Sequence, residues 1–589
     1  MQFLEMVKKN VDNNPDRIAV TRDFNEGSLS LEELWDVSGR IYHFLSENKI
    51  GREDFVLIKL PRGAKAVSTI LGVIRAGAAF TIVEDIYPDD RINYIARDCS
   101  CKMVIDEAVY DKMLEVTPLE GYENADEHDA CFAIYTSGTT GNPKGVLHEY
   151  GKIDYCLKSI PVNMLMDGSV NEKFAAIMPM NFVAFIFVVV ACLAFDLTIY
   201  MISFALAKNF VKFTQLLESE EITFTFMSPS MIRVYKNPAT SLKLIITGSE
   251  PAGGIYYGKP GIYNIYAMSE SGMAIAGFML DKSYDKAPVG KNTAGAKILI
   301  LKEDGEEATI GETGEICFEN AYFRGYINLP SEDEKAVVDG IFHTGDLGYV
   351  DENGNLYISG RSDDMIKING NRIEPAEIEA VAKAILKAPS IVAKGFEENS
   401  RAFVVLYAVE NEIGDSFSED KVEGLRDAMS SKLPEYMIPT YFVALPELPL
   451  NPNGKVAKKL LRSPVKTELK RNIVKPNTDT EKLICAKMAA VLKLNEVGVT
   501  EDFYYLGGDS LKTIQLVSDL EEEGITISAE EVYNGRSARE VAAVITKNSK
   551  SEADVLRETE EAKGLAYPVT HLQWQFIQYN ERSGGTKVN

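Results

Sequence analysis

Between residues 1 and 361, short β-branched runs such as Phe55 to Leu60 and Leu244 to Ile246 alternate with segments whose apolar positions recur at helical spacing. That alternation describes an α/β core with strands buried on both faces. Phe182 to Phe195 is an unbroken apolar run of about 14 residues. It is short of the roughly 20 that cross a bilayer and reads as a buried core helix. Residues 362–465 join a strand-like stretch, Ala402 to Val409, to helical patterns at Glu377 to Leu386 and Glu419 to Leu433, as in a small α+β subdomain. Periodicity then fails across the polar, proline-containing stretch 466–480, a linker. It returns at Leu483, Ile484, Met488, Val491 and Leu492, and again at Leu511, Ile514, Leu516, Val517 and Leu520, so 481–547 reads as a four-helix domain. A charged stretch, 548–589, follows. The fold class is α/β multidomain, with a large N-terminal core, a small α+β subdomain and a helical unit.

Composition agrees with a modular folded chain and removes some partners. Of 589 residues, 46% are hydrophobic and 25% charged, and the length exceeds what one hydrophobic core supports. A formal net charge of -25 repels phosphate backbones and acidic head groups, so neither nucleic acid nor membrane is an expected partner. Cys99, Cys101, Cys131, Cys156, Cys192, Cys317 and Cys485 are odd in number and show no CxxC spacing, as for reduced thiols. The amphipathic start, Met1 to Val11, lacks a secretory apolar run, and a cytoplasmic location is expected.

The most specific local signal is Tyr135-Thr136-Ser137-Gly138-Thr139-Thr140-Gly141-Asn142-Pro143-Lys144-Gly145. Glycines let such a loop fold tightly, hydroxyls and backbone N–H groups bond phosphate oxygens, and Lys144 adds positive charge. The Walker spacing is absent. The run is similar to the phosphate loop of the acyl-adenylate-forming superfamily. Further segments resemble that family's motifs in order: Leu29 to Leu34, Arg75 to Phe80, Tyr266 to Glu270, Gly314 to Ile316 with Arg324 to Tyr326, His343 to Leu347, Gly360 to Gly370, Leu433 to Pro439 and Asn453 to Val456. Joining a carboxylate to ATP brings anions together and expels pyrophosphate, which calls for cations and a metal. The resemblance implies that Thr136, Ser137, Gly138, Thr139, Thr140 and Lys144 hold the β- and γ-phosphates. It further implies that Glu270 places Mg2+ with Ser269 beside the nucleotide, that Asp346 and Arg361 take the ribose, and that Tyr266 lies against adenine. Lys455 would bridge the attacking carboxylate and the α-phosphate. Asp363 marks the hinge where a swivel would withdraw Lys455 and bring the loop from Lys367 to Gly370 toward a thiol, so that one site runs two half-reactions.

A second signal, Asp502-Phe503-Tyr504-Tyr505-Leu506-Gly507-Gly508-Asp509-Ser510-Leu511, resembles the phosphopantetheine attachment motif of carrier domains, with Ser510 as the attachment site. The same residues also read as a helix cap. Together the resemblances imply an adenylation-thiolation unit of a nonribosomal peptide synthetase that uses ATP, Mg2+ and 4'-phosphopantetheine. Its implied partners are a small-molecule carboxylic acid, a phosphopantetheinyl transferase, and a downstream condensation domain or module. Adenylation motifs at the start of the chain favour an initiating unit. Tyr567 to Gln573 resemble the opening of a condensation domain.

One position departs from the family pattern. Most such synthetases place an aspartate where Asn181-Phe182-Val183-Ala184-Phe185 puts Val183, and that aspartate pairs with the substrate's α-ammonium. A valine leaves a buried ammonium unpaired, at a cost of several kcal/mol. The other positions aligned to the substrate pocket are Ala184, Phe187, Phe226, Ile245, Thr247, Ile265, Met273 and Ala274, nearly all apolar. An acid without an α-ammonium is expected: a 2-oxo, hydroxy, aryl or short fatty acid. An apolar amino acid bound through backbone carbonyls is a second reading. A third is a degenerate scaffold whose carrier is loaded in trans, against which Lys455, Asp346, Glu270 and Lys144 all stand.

Overall fold

The computed structural model describes residues 2–545 except 23–26, 85–86, 139–141, 160–171, 208, 294–296, 321, 363–364, 369–370, 399–400, 415–416, 450–455, 457, 465–472, 493, 505, 507, 509, 522 and 526. The chain divides into two compact units, Met1–Lys470 and Arg471–Asn589.

In the first unit, strands Phe55–Ile58, Ala79–Ile82 and Ala130–Thr136 run parallel within a six-stranded sheet, and Lys144–Glu149 returns antiparallel to the last. A nine-stranded sheet holds Lys173–Ala176, Phe224–Phe226, Leu244–Gly248 and Gly261–Ala267 in parallel order. Phe55–Ile58, Ala79–Ile82, Ala130–Thr136 and Leu244–Gly248 are buried at every position. This is why they read as continuous apolar runs rather than alternating ones. Helix Val183–Ala194 buries Phe185, Ile186 and everything from Val188 to Ala194 in the same core. Among the described residues no helix is long and apolar enough to cross a membrane.

A third sheet, wholly antiparallel, was not anticipated by the α/β pattern. Its long strand Ile341–Val350 pairs with Gly314–Glu319 on one side and Leu356–Arg361 on the other. The buried positions of that strand are Phe342, Thr344, Asp346 and Gly348. Two of these are polar and one is glycine, so the period of two is present in burial but hidden from hydropathy.

The small subdomain begins with a hairpin, Ile366–Ile368 against Asn371–Ile373, followed by helix Pro375–Leu386 and a three-stranded sheet of Ile391–Glu398, Arg401–Val409 and Tyr441–Leu445. Helix Glu419–Ser430 covers it. Along Arg401–Val409, Val404, Leu406 and Ala408 pack with Ile366, Ile373 and Ile378. Phe403, Val405 and Tyr407 pack with Val456 and Leu461. The hairpin and the Val456 segment therefore lie on opposite faces of one sheet.

The second unit has helices Asp479–Leu492, Ser510–Glu521, Ala529–Gly535 and 538–545 around Ile484, Met488, Phe503, Leu516, Leu520, Val532 and Val541. Its first helix is capped by Thr478: the Glu481 N–H donates to Thr478 Oγ1 at 3.1 Å, and Glu481 Oε2 accepts the Thr478 N–H at 3.0 Å. Val474 O accepts the Val499 N–H at 2.8 Å. The end of the stretch read as a linker is thus stitched into the helical unit.

Candidate active site

The loop after Ala130–Thr136, the turn after Gly261–Ala267 and the hairpin of the small subdomain converge on a cavity of about 350 Å³ lined by Thr136, Ser137, Lys144, Ser269, Glu270, Arg361, Lys367 and Arg372. The first two leave the ends of strands in the buried sheets, so the scaffold fixes their polar groups where water enters.

Glu270 is the electrostatic centre. It is 1% exposed, and its Oε1 accepts hydrogen bonds from Arg372 Nη1 at 2.7 Å and Tyr326 Oη at 2.9 Å. Burial pushes its carboxyl up, but Arg372 and Lys144 outweigh burial and hold it down at about 2. Its Oε2 is buried and bonds nothing among the described residues. Lys144 is buried with its Nζ 4.2 Å from the centre of the Tyr326 ring. Desolvation, with Arg372 nearby, lowers its pKa, and Glu270 opposes this. Thr136 Oγ1 is likewise buried without a partner among the described residues.

Asp346 is 3% exposed. Its Oδ1 accepts from Arg361 Nη1 at 2.5 Å and its Oδ2 from Tyr266 Oη at 2.6 Å. Each oxygen keeps a second lone pair for a further donor. Burial raises the Tyr266 phenol well above its ordinary value, and Asp346 adds to it, so Tyr266 stays a donor.

The small subdomain closes over this site. Ser137 Oγ donates to Arg372 O at 2.9 Å and accepts from the Glu374 N–H at 3.1 Å. Glu377 Oε1 accepts from Arg91 Nη1 at 2.6 Å, and Glu377 Oε2 accepts from the Gly138 N–H at 3.4 Å. Lys367 lines the cavity, and burial lowers its pKa while Asp346 opposes.

Of the residues expected from sequence, Thr136, Ser137, Lys144, Ser269, Glu270, Arg361 and Lys367 share the cavity, and Tyr266 and Asp346 stand behind Arg361. Thr139, Thr140, Asp363 and Lys455 lie outside the described residues. Against the cavity lies an apolar recess of about 30 Å³ lined by Phe174, Val183, Ala184, Phe187, Val188, Phe226, Ile246, Ile265, Ala267, Met273 and Ala274. Two expected positions need correction: Ile245 and Thr247 do not line it, and Ile246 does. Leu244–Gly248 is a strand, so 245 and 247 share the opposite face; Thr247 Oγ1 spends its proton on Met227 O at 2.7 Å. Sequence reasoning also missed Arg372, although a second cation directly across the hairpin from Lys367 was the available signal.

Ser510 is the first residue of helix Ser510–Glu521. Ahead of it, the Gly508 N–H donates to Phe503 O at 2.8 Å, and a Cβ on Gly508 would stand 2.3 Å from Phe503 Cδ1. Only glycine makes that turn.

Residues 7–327 match the family model described as AMP-binding enzyme, and residues 482–545 match the one described as phosphopantetheine attachment site. The chain belongs to the AMP-binding enzyme family and carries a phosphopantetheine attachment unit behind that domain. It is 28% identical to tyrocidine synthase 1 of Brevibacillus parabrevis over 611 residues, covering 97% of this chain and 54% of that protein. It is 28% identical to surfactin synthase subunit 1 of Bacillus subtilis over 547 residues, covering 86% of this chain and 15% of that protein. The chain thus spans about half the length of the first of these relatives and far less of the second. Among solved structures, a holo NRPS protein containing adenylation and PCP domains, bound to a vinylsulfonamide inhibitor, has a TM-score of 0.70 at 18% identity and covers 92% of this chain and 96% of that one. An o-succinylbenzoate CoA synthetase from Bacillus subtilis has a TM-score of 0.66 at 21% identity, covering 77% and 97%. At such identities the likeness is one of fold.

Proposed function

We propose that this chain activates a carboxylic acid without an α-ammonium as an acyl-adenylate and hands the acyl group to phosphopantetheine on Ser510. In the first step a carboxylate oxygen attacks the α-phosphorus of ATP, the bond to the bridging oxygen of the β-phosphate breaks, and pyrophosphate leaves. In the second the pantetheine sulfur, as thiolate, attacks the acyl carbon and AMP leaves.

The cavity fits these groups. Thr136 Oγ1 and Lys144 offer a free buried hydroxyl and a cation to phosphate oxygens. The unengaged Oε2 of an ionised Glu270 is a hard oxygen donor of the kind Mg2+ takes. Bound there, Mg2+ would neutralise charge on the departing phosphates. Asp346, with one lone pair left on each oxygen, would accept from ribose hydroxyls, and Arg361 would hold Asp346 in place. In the observed arrangement Lys367 and Arg372 face the cavity while the Val456 segment, next to Lys455, sits on the far face of the sheet. That geometry favours the second half-reaction. Rotation about the 361–365 segment would exchange the faces for the first.

The observation that carries the substrate class is the recess behind Val183, in which every lining side chain is apolar. An ammonium there would lack a counter-charge. The recess shares Val183, Ala184, Phe226, Ile265 and Ala267 with the larger cavity, and its apolar lining suits the hydrocarbon part of a 2-oxo, hydroxy, aryl or short fatty acid. A 2-oxo or fatty acid has neither amine nor hydroxyl with which to accept an upstream acyl group, so for those acids the chemistry also favours an initiating role, whereas a 2-hydroxy acid could still accept one as an ester.

The test is ATP/pyrophosphate exchange with leucine, valine and phenylalanine, their 2-oxo and 2-hydroxy analogues, benzoates and short fatty acids. Exchange with ammonium-free acids alone supports the reading. Preference for an amino acid overturns the substrate class and keeps the chemistry, and silence across the panel revives the scaffold.

A further inference from the structure

The turn that carries Ser269 and Glu270 is held from below by the buried side chains of His148, Lys152 and Cys156 and the half-buried side chain of Asn320, each on one of four successive carbonyls. His148 Nε2 lies 2.7 Å from Ser269 O, Asn320 Nδ2 donates to Glu270 O at 2.8 Å, Lys152 Nζ donates to Ser271 O at 3.0 Å, and Cys156 Sγ donates to Gly272 O at 3.4 Å. Lys152 also donates to Asn320 Oδ1 at 3.2 Å. Lys152 is 1% exposed, and among the described residues its ammonium bonds these two neutral oxygens and no carboxylate stands within ion-pairing distance. Burial lowers it to about 8, while His148, buried beside it, is driven down to about 3 and stays neutral. Gly272 has φ +67°, and a Cβ there would meet Lys152 Cδ at 2.9 Å and His148 Cε1 at 3.0 Å. The turn therefore seats directly on these two side chains.

A buried cation bonded only to amide oxygens costs stability, and a hydrophobic residue would fill the space at lower cost. The charge does something a methylene chain does not. It polarises the Asn320 amide along the chain Lys152 Nζ to Asn320 Oδ1, Asn320 Nδ2 to Glu270 O, and so strengthens the last bond. We propose that Lys152 and Asn320 are positioning residues that fix the backbone of Glu270, and through it the carboxylate oxygen offered to the metal-nucleotide. This rests on the activity proposed above. Neither residue touches the cavity; both act through the carbonyls of the turn.

Two measurements on the full chain test it. In ATP/pyrophosphate exchange, Lys152→Met and Asn320→Ala should raise the KM for MgATP and the half-saturating Mg2+ concentration by roughly ten- to hundredfold, with the KM for the acid unchanged. In calorimetric titration without acid, wild type should bind ATP more tightly with Mg2+ than without, and both variants should lose most of that difference. Asn320→Asp, which accepts from Lys152 but has no amide donor, should behave as Asn320→Ala. The double variant Lys152→Met/Asn320→Ala should be no worse than the poorer single, since both cut one chain of bonds. Equal losses for acid and nucleotide, an unchanged Mg2+ dependence, or additive effects would overturn the proposal. If Lys152→Met does not fold, as judged by its thermal melt, the two Asn320 variants decide. Absence of exchange by wild type would instead sink the proposed activity, while the calorimetric comparison still reads the brace.

Discussion

Glu270 shows how a few neighbours reverse the effect of burial. A carboxyl at 1% exposure should sit high, yet Arg372 and Lys144 bring it to about 2. A folded-state value below the ordinary 4.5 means that ionised Glu270 stabilises the fold fully above about pH 4.5, and that this contribution disappears as pH falls through about 2. Acid unfolding of wild type, followed by circular dichroism, should show a component in that window that Glu270→Gln lacks. At neutral pH the same variant should lose about 1–3 kcal/mol in denaturant melts, since Arg372 keeps Glu374 but loses its second charge partner. Val183 makes the complementary case. Val183→Asp should depress exchange with the preferred acid by tenfold or more, since a carboxylate then faces an apolar recess, and should gain measurable exchange with the matching α-amino acid. A variant unchanged on both would remove Val183 from specificity. Sequence pointed to Lys144, Glu270, Arg361 and Lys367, which share the cavity, because they stand in motifs, but not to Arg372. It misplaced Ile245 and Thr247 because in an all-buried strand neither face is marked by polarity, so a one-residue slip costs nothing in the pattern. It had no means of finding Lys152 and Asn320, 168 positions apart, since their pairing exists only once two elements have packed.

Helix Asp89–Asp98 and helix Pro375–Leu386 are joined by a buried ion pair, Arg91 with Glu377, at side-chain exposures of 4% and 2%. Charges so dry are costly, and the pair is worth most as a specifier: it forms only when the small subdomain presents this helix to the core. Removing one partner strands the other, at about 3–5 kcal/mol, whereas replacing both by apolar side chains is far milder. Arg91→Met and Glu377→Met should each lower the melting temperature and expose the 361–375 segment to limited proteolysis, and the double variant should recover much of the loss. Each single should also slow thioester formation more than pyrophosphate exchange, because the pair belongs to the arrangement with Lys367 at the cavity. Equal slowing of both half-reactions would show that the pair does not select an orientation. These elements were largely legible, since helices Pro375–Leu386 and Glu419–Ser430 and strand Arg401–Val409 fall within a few residues of the periodic segments. Ile341–Val350 was not, for its inward positions include Thr344 and Asp346, polar residues that serve the cavity, and Gly348, where a Cβ would strike Tyr357 O at 2.5 Å.

On the proposed reading the two compact units divide the chemistry: the residues assigned to acyl-adenylate formation lie within Met1–Lys470, and the proposed acceptor Ser510 lies in Arg471–Asn589, which has its own apolar core. Ser510→Ala should therefore leave ATP/pyrophosphate exchange at the wild-type rate while abolishing acid-stable labelling of the chain by radioactive substrate in the presence of a phosphopantetheinyl transferase. Lys455→Ala should do the reverse to the first step, cutting exchange by about 10²–10³, yet it leaves the carrier intact. Mixing the two variants separates connection from chemistry. Ser510→Ala can activate the acid and Lys455→Ala, once modified, can accept it, so label on the Lys455→Ala chain measures transfer between molecules. Transfer within one chain draws on an effective concentration in the millimolar range for a short linker. At micromolar protein the mixture should then label far more slowly than wild type, approaching it only as concentration rises. Labelling in the mixture as fast as wild type at micromolar protein would mean that covalent linkage contributes nothing, and that the carrier is served as readily by a neighbour's adenylation unit as by its own.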